Sequence, residues 1–124
     1  METRQLGKNG PTVPVICLGA WPLGGGMGDI PDDQAIATIH ASIEAGVNFI
    51  DTAQAYGTED VVGKAVEGRR DQVVLSTKVE IIKPGAVRTG DDFISGDVLA
   101  ANFEESLKRL RTEYVDIVHL HGIT

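Results

Sequence analysis

The sequence predicts an α/β fold: four parallel strands with intervening helices, preceded by a β-hairpin. Three observations carry this reading. Short apolar runs recur at Val15–Leu18, Val47–Ile50, Val73–Leu75 and Tyr114–His121, as strands covered on both faces require. Between them lie stretches with apolar residues at helical spacing, so strand and helix alternate and the sheet should be parallel. No run ends in Gly-x-Gly-x-x-Gly or in a P-loop, which disfavours an open doubly wound sheet and leaves part of a (β/α)8 TIM barrel.

Each element has its own signal. Arg4 to Val13 contain Lys8-Asn9-Gly10 between short runs, and Asn-Gly marks a hairpin turn because both positions tolerate positive φ. Val15–Leu18 is the first barrel strand. The glycine-rich Gly24–Gly28 after it reads as a mobile loop. Pro31-Asp32-Asp33 opens a helix with acids at the positive end of the dipole and with Ile36, Ile39 and Ile43 on one stripe, and Gly46 closes it. Val47 to Asp51 form the second strand. Thr58-Glu59-Asp60 start a short helix through Val62 and Val66 to Gly68. Val73–Lys78 is the third strand. Glu80 to Ser95 is too long for a plain connection, so it is either functional or locally structured. Leu99, Phe103, Leu107 and Leu110 then share a helix face, with Glu104–Lys108 and Glu105–Arg109 as i,i+4 pairs on the exposed side. Tyr114 to His121 is the fourth strand, stopped by Gly122.

With 124 residues, 42% hydrophobic and 23% charged, the chain can bury one core and is expected to form one domain over residues 1–124. A net charge of −7 and a pI near 4.8 argue against nucleic acid or an anionic membrane as partner. The lone Cys17, inside an apolar run, reads as a buried thiol in a reducing compartment, and no stretch reaches signal or membrane length. A cytoplasmic protein is expected.

Three successive strands finish in ionisable residues, Asp51, Lys78 and His121. Neighbouring parallel strands lie about 4.8 Å apart, so on adjacent strands these residues line one rim. Alternation puts Phe49 with Asp51, Ser76 with Lys78, and Ile117 and His119 with His121. Tyr56, in the loop past Asp51, can fold back over them. A free phenol has a pKa of about 10, and a nearby ammonium favours its ionised form. Lys78 supplies that charge, Asp51 fixes Lys78, and His121 can donate to a carbonyl oxygen as negative charge develops there. A small-molecule ketone or aldehyde is the substrate this set would polarise. Taken singly, each residue is more often structural: Asp51 a cap, Tyr56 a core phenol, Lys78 a solvated charge, His121 a rim histidine. Four aligned defaults are less credible. His119 falls one layer deeper as a supporting residue. His119 and His121 lack a third ligand at suitable spacing, so no metal site is expected.

These residues resemble the aldo-keto reductases, NAD(P)H-dependent (β/α)8 barrels. Phe49-Ile50-Asp51-Thr52-Ala53-Gln54-Ala55-Tyr56-Gly57 is similar to the family signature with its catalytic Asp and Tyr. Glu59–Ala65 resembles the family segment directly after that signature. Val74–Lys78 resembles the strand with the catalytic Lys, and Tyr114–His121 the strand ending in the catalytic His. The resemblance implies Tyr56 as general acid, His121 orienting the carbonyl, and Asp51 with Lys78 tuning the phenol. It also implies that Ala20, Trp21 and Asp51 lie near the nicotinamide of NADPH, or of NADH, which supplies the hydride.

A full barrel needs about 250 residues. By this resemblance the chain reads as a fragment, the N-terminal half of a (β/α)8 TIM barrel, inactive alone because later strands hold most of the cofactor in the family. Its first and fourth strands would leave open edges through which self-association is possible. Two other functions compete: a non-catalytic regulatory or binding subunit, since some members of the resembled family serve as ion-channel partners, and Schiff-base chemistry at Lys78.

Overall fold

In the computed structural model, which describes residues 1–86 and 92–122, the chain starts as an antiparallel hairpin of β1 (Thr3–Gln5) and β2 (Thr12–Pro14). The turn differs from expectation. The Leu6 N–H donates to Pro11 O at 3.0 Å, so four residues, Gly7 to Gly10, span the strands, and the positive φ falls on Gly7 rather than on Asn9-Gly10.

A four-stranded parallel sheet follows in the order β3 (Leu18–Gly19), β4 (Phe49–Asp51), β5 (Val74–Glu80) and β6 (Ile117–His121). The helices α1 (Asp32–Glu44), α2 (Glu59–Val66) and α3 (Gly96–Arg109) connect successive strands. Strand order equals sequence order, as in consecutive βα units of a barrel.

The core lies between sheet and helices. Ile39 of α1, Ile50 of β4, Val62 and Val66 of α2, Leu75 of β5 and Leu110 after α3 are each at most 1% exposed. Of the expected α1 stripe, Ile39 is fully buried and Ile36 and Ile43 pack half-buried around it. Ile50 pairs with Leu75, so both strands turn these side chains to the helices and leave Asp51, Ser76 and Lys78 on the opposite, concave face. α2 approaches the end of α3 so closely that a Cβ on Gly63 would sit 2.8 Å from the Leu110 carbonyl carbon.

Several expectations need correction. Val15–Leu18 is not a doubly covered strand: only Leu18–Gly19 pair with β4, and Val15 and Ile16 are 51% and 56% exposed. β3 is the edge strand of the described sheet, and Cys17, just before it, is exposed rather than buried. The glycine-rich stretch is folded into turns, a 3-10 turn at Trp21–Gly24 followed by a Gly26–Gly28 bridge. The described ends of the Glu80–Ser95 connection are locally structured, one of the two expectations for it. Ile82 bridges Phe93 and the Lys83 N–H donates to Asp92 O at 2.8 Å, while residues 87–91 lie outside the described residues.

On α3, Lys108 pairs with Glu105 rather than Glu104, and Arg109 turns inward to Glu59 rather than to Glu105. A buried carboxylate attracts the guanidinium more strongly than a solvated one. β6 begins at Ile117, later than expected. The Asp116 carboxylate accepts from the Leu75 N–H at 2.8 Å and from Arg70 at 2.7 Å, taking the ladder position itself.

Candidate functional site

β4 ends on Asp51, and its carboxylate is met at once by β5. Lys78 Nζ lies 2.5 Å from Asp51 Oδ2, and Ser76 Oγ donates to Asp51 Oδ1 at 3.0 Å. Lys78 also donates to the Thr52 carbonyl at 2.9 Å. The ammonium is thereby held by two acceptors, and its side chain is only 19% exposed.

The chain leaves β4 through a 3-10 turn, Gln54–Tyr56, and reverses at Gly57 with φ +68°, a conformation most side chains disfavour. That turn lays Tyr56 over the rim. Lys78 Nζ stands 4.7 Å from the ring centroid, within cation–π range, and the His121 ring meets Tyr56 edge-on at 6.0 Å and 89°. No hydrogen bond among the described residues occupies the Tyr56 hydroxyl. The Gln54 side chain accepts from the Glu80 N–H at 3.2 Å, tying the turn to the end of β5.

The four residues expected at the rim thus meet at one mouth, by a slanted path. β5 continues two residues past Lys78, so Lys78 is not the strand's last residue. The register pairs Lys78 with His119 and Glu80 with His121, which places His119 level with Lys78 and His121 one layer nearer the mouth. Tyr56 spans that step. His121 Nδ1 is buried and has no hydrogen-bond partner among the described residues. A cavity of about 300 Å³ opens beside His121, lined also by Glu80, Ile82 and Lys83.

The residues expected beside a nicotinamide differ among themselves. Trp21 is 46% exposed and Asp51 partly so, but Ala20 is fully buried, its N–H donating to Asp51 O at 2.8 Å. Ala20 braces Asp51 instead of offering surface.

Two further neighbours join the site. Ser76, placed on the face of Lys78 by alternation, was given no role by the sequence reading, and here its hydroxyl holds Asp51. Cys17 lies near Asp51 across the β3–β4 edge. Partial withdrawal of its thiol from water, then the Asp51 carboxylate, raise it from 9.0 to about 11 against the opposing pull of Lys78.

The chain is similar to known proteins over nearly its whole length. L-galactose dehydrogenase of Arabidopsis thaliana is 37% identical over 126 residues, covering 99% of this chain and 39% of that protein. The holo form of an aldo-keto reductase from Bacillus halodurans superposes with a TM-score of 0.81 at 32% identity, covering all of this chain and 41% of that one. An aldo-keto reductase from Klebsiella pneumoniae in complex with NADPH gives 0.70 at 35%, covering 91% and 37%. The chain therefore spans about two-fifths of the length of the curated relatives it matches. The profile of the Aldo/keto reductase family matches residues 15–124, which include Asp51, Tyr56, Lys78 and His121, and the chain belongs to that family.

Proposed function

We propose that this chain carries the proton-donating side of a carbonyl reductase site, with Tyr56 as the general acid for an aldehyde or ketone. The carbonyl oxygen sits between the Tyr56 hydroxyl and His121 Nε2. As a hydride reaches the carbonyl carbon, the C=O π pair moves to oxygen and the Tyr56 proton completes the alcohol. His121 donates to the oxygen while its charge grows, and the Lys78 ammonium favours the phenolate left behind. Asp51 holds Lys78 in place. The carrying observation is the convergence of Tyr56 on Lys78 and His121 at 4.7 and 6.0 Å, with Asp51 2.5 Å from Lys78.

NADPH, or NADH, supplies the hydride when bound. The exposed Trp21 ring and the Asp51 carboxylate at the concave mouth fit a flat, polar nicotinamide amide, whereas the buried Ala20 contributes only by bracing Asp51. The rest of the cofactor's seat is sought by grafting. Residues 1–124 replace the matching segment of the Bacillus halodurans reductase, and NADPH oxidation is followed with an aldehyde. Tyr56→Phe should lower turnover by about 10²–10⁴-fold with NADPH binding retained. Undiminished turnover in Tyr56→Phe, or borohydride trapping of substrate on Lys78, overturns the proposal. Tight NADPH binding without turnover in the parent graft points to a binding subunit instead.

A further inference from the structure

Thr58 and Glu59 directly follow the turn that carries Tyr56, and they are 0% and 1% exposed. Acids in the first turn of a helix ordinarily sit in solvent, where the dipole already favours them. Glu59 does not. Its Oε1 accepts from Thr77 Oγ1 at 2.6 Å, and its Oε2 from Arg109 Nε at 2.8 Å, while Arg109 also reaches Ser106 Oγ at 3.1 Å. Thr58 Oγ1 lies 2.8 Å from Thr52 Oγ1.

The partners are not arbitrary. Thr52 is the next residue after Asp51, and Thr77 the residue before Lys78. Adjacent strand residues point to opposite faces, so the bonds to Thr52 and Thr77 lie behind the sheet while Asp51 and Lys78 act in front of it. The exit of the Tyr56 turn is pinned from the rear to the two strands whose front faces Tyr56 must meet.

We propose that Glu59 is a positioning residue. Through Thr77 it fixes the α2 start against β5 and so sets the stacking of Lys78 on Tyr56, with Arg109 compensating its buried charge. Its functional meaning rests on the carbonyl-reducing reading, while the geometric claim stands without it. Glu59 is 1% exposed whereas the Arg109 side chain is 39% exposed, and a carboxylate buried for stability alone would gain nothing from this placement, since a hydrophobic replacement does as well.

The test uses the 124-residue chain and the ring-current shift of the Lys78 ε-methylene protons in a ¹H–¹³C correlation spectrum, identified by its disappearance in Tyr56→Leu. Glu59→Gln and Thr77→Val, both close in shape to the native residues, should each lose more than half of that upfield shift. Ile39→Val, which weakens the core far from the site, should lower the urea midpoint and leave the shift intact. Retention of the shift in both Glu59→Gln and Thr77→Val, or an equal loss in Ile39→Val, overturns the proposal. Because the readout needs neither cofactor nor turnover, it fails independently of the Tyr56→Phe experiment.

Discussion

The contact between Asp51 and Lys78 gives the sharpest energetic prediction. Nζ and Oδ2 are 2.5 Å apart, which at an effective dielectric of about 20 is a gross attraction of roughly 6–7 kcal/mol. Most of that is offset by desolvation. With side chains 19% and 28% exposed, the pair lies between surface pairs, at about 0.2–1 kcal/mol, and buried pairs, whose breakage costs about 3–5 kcal/mol. The two fixed auxiliary bonds, from Ser76 and to Thr52, move it away from the surface limit. A double-mutant cycle of Asp51→Asn and Lys78→Met, read by urea unfolding in far-ultraviolet circular dichroism, should therefore give a coupling energy of about 1–3 kcal/mol. Half-buried pairs are weakly screened, so most of it should survive an increase in salt from about 0.1 to 1 M. A coupling below about 0.5 kcal/mol, or one abolished by salt, would mean that Lys78 is a solvated charge and the site is not preassembled.

Two further predictions concern its surroundings. With Cys17 raised to about 11, alkylation by iodoacetamide at pH 8 should run about 100-fold below that of a thiol at the ordinary 9.0, with its midpoint near pH 11, and Asp51→Asn should accelerate it in part; a midpoint at 9 would contradict the partial withdrawal of the thiol from water beside that carboxylate. Gly63→Ala, although it improves helix propensity, should lower stability by about 1–3 kcal/mol, because the new methyl meets backbone at Arg109 and Leu110 rather than yielding side chains; an unchanged or raised melting temperature would show that the α2–α3 approach is looser than described.

The rim was legible in the sequence because two simple periodicities sufficed. Alternation put Asp51, Ser76 and Lys78 on one face, and the first charge after an apolar run located the open end of β4, although β5 runs two residues past Lys78. What alternation does not supply is register. Parallel strands slide by whole pairs without changing faces, so nothing in the sequence distinguished Lys78 opposite His119 from Lys78 opposite His121. Apolarity misled at Val15–Cys17 for a related reason: a run of four apolar residues reports that burial is compatible, whereas an edge position is decided by which neighbours exist. Arg109 was misassigned because i,i+4 spacing identifies every carboxylate within reach along a helix and none across the fold.

Glu59 was the least legible functional residue, and its case explains why such groups hide. Its position at the start of α2 is fully accounted for by the helix dipole, so local reasoning stops there. Only the burial of a carboxylate demands more, because an ion removed from water needs partners placed around it in advance. Here the partners come from β5 and α3, separated from it by 18 and 50 residues along the chain. On the proposed carbonyl-reducing reading the front of the sheet stays open to a substrate, and Tyr56 meets Lys78 and His121 there through its ring. Further restraint comes from the covered side, where Thr52, Thr58, Glu59 and Thr77 are buried and bonded to one another in pairs.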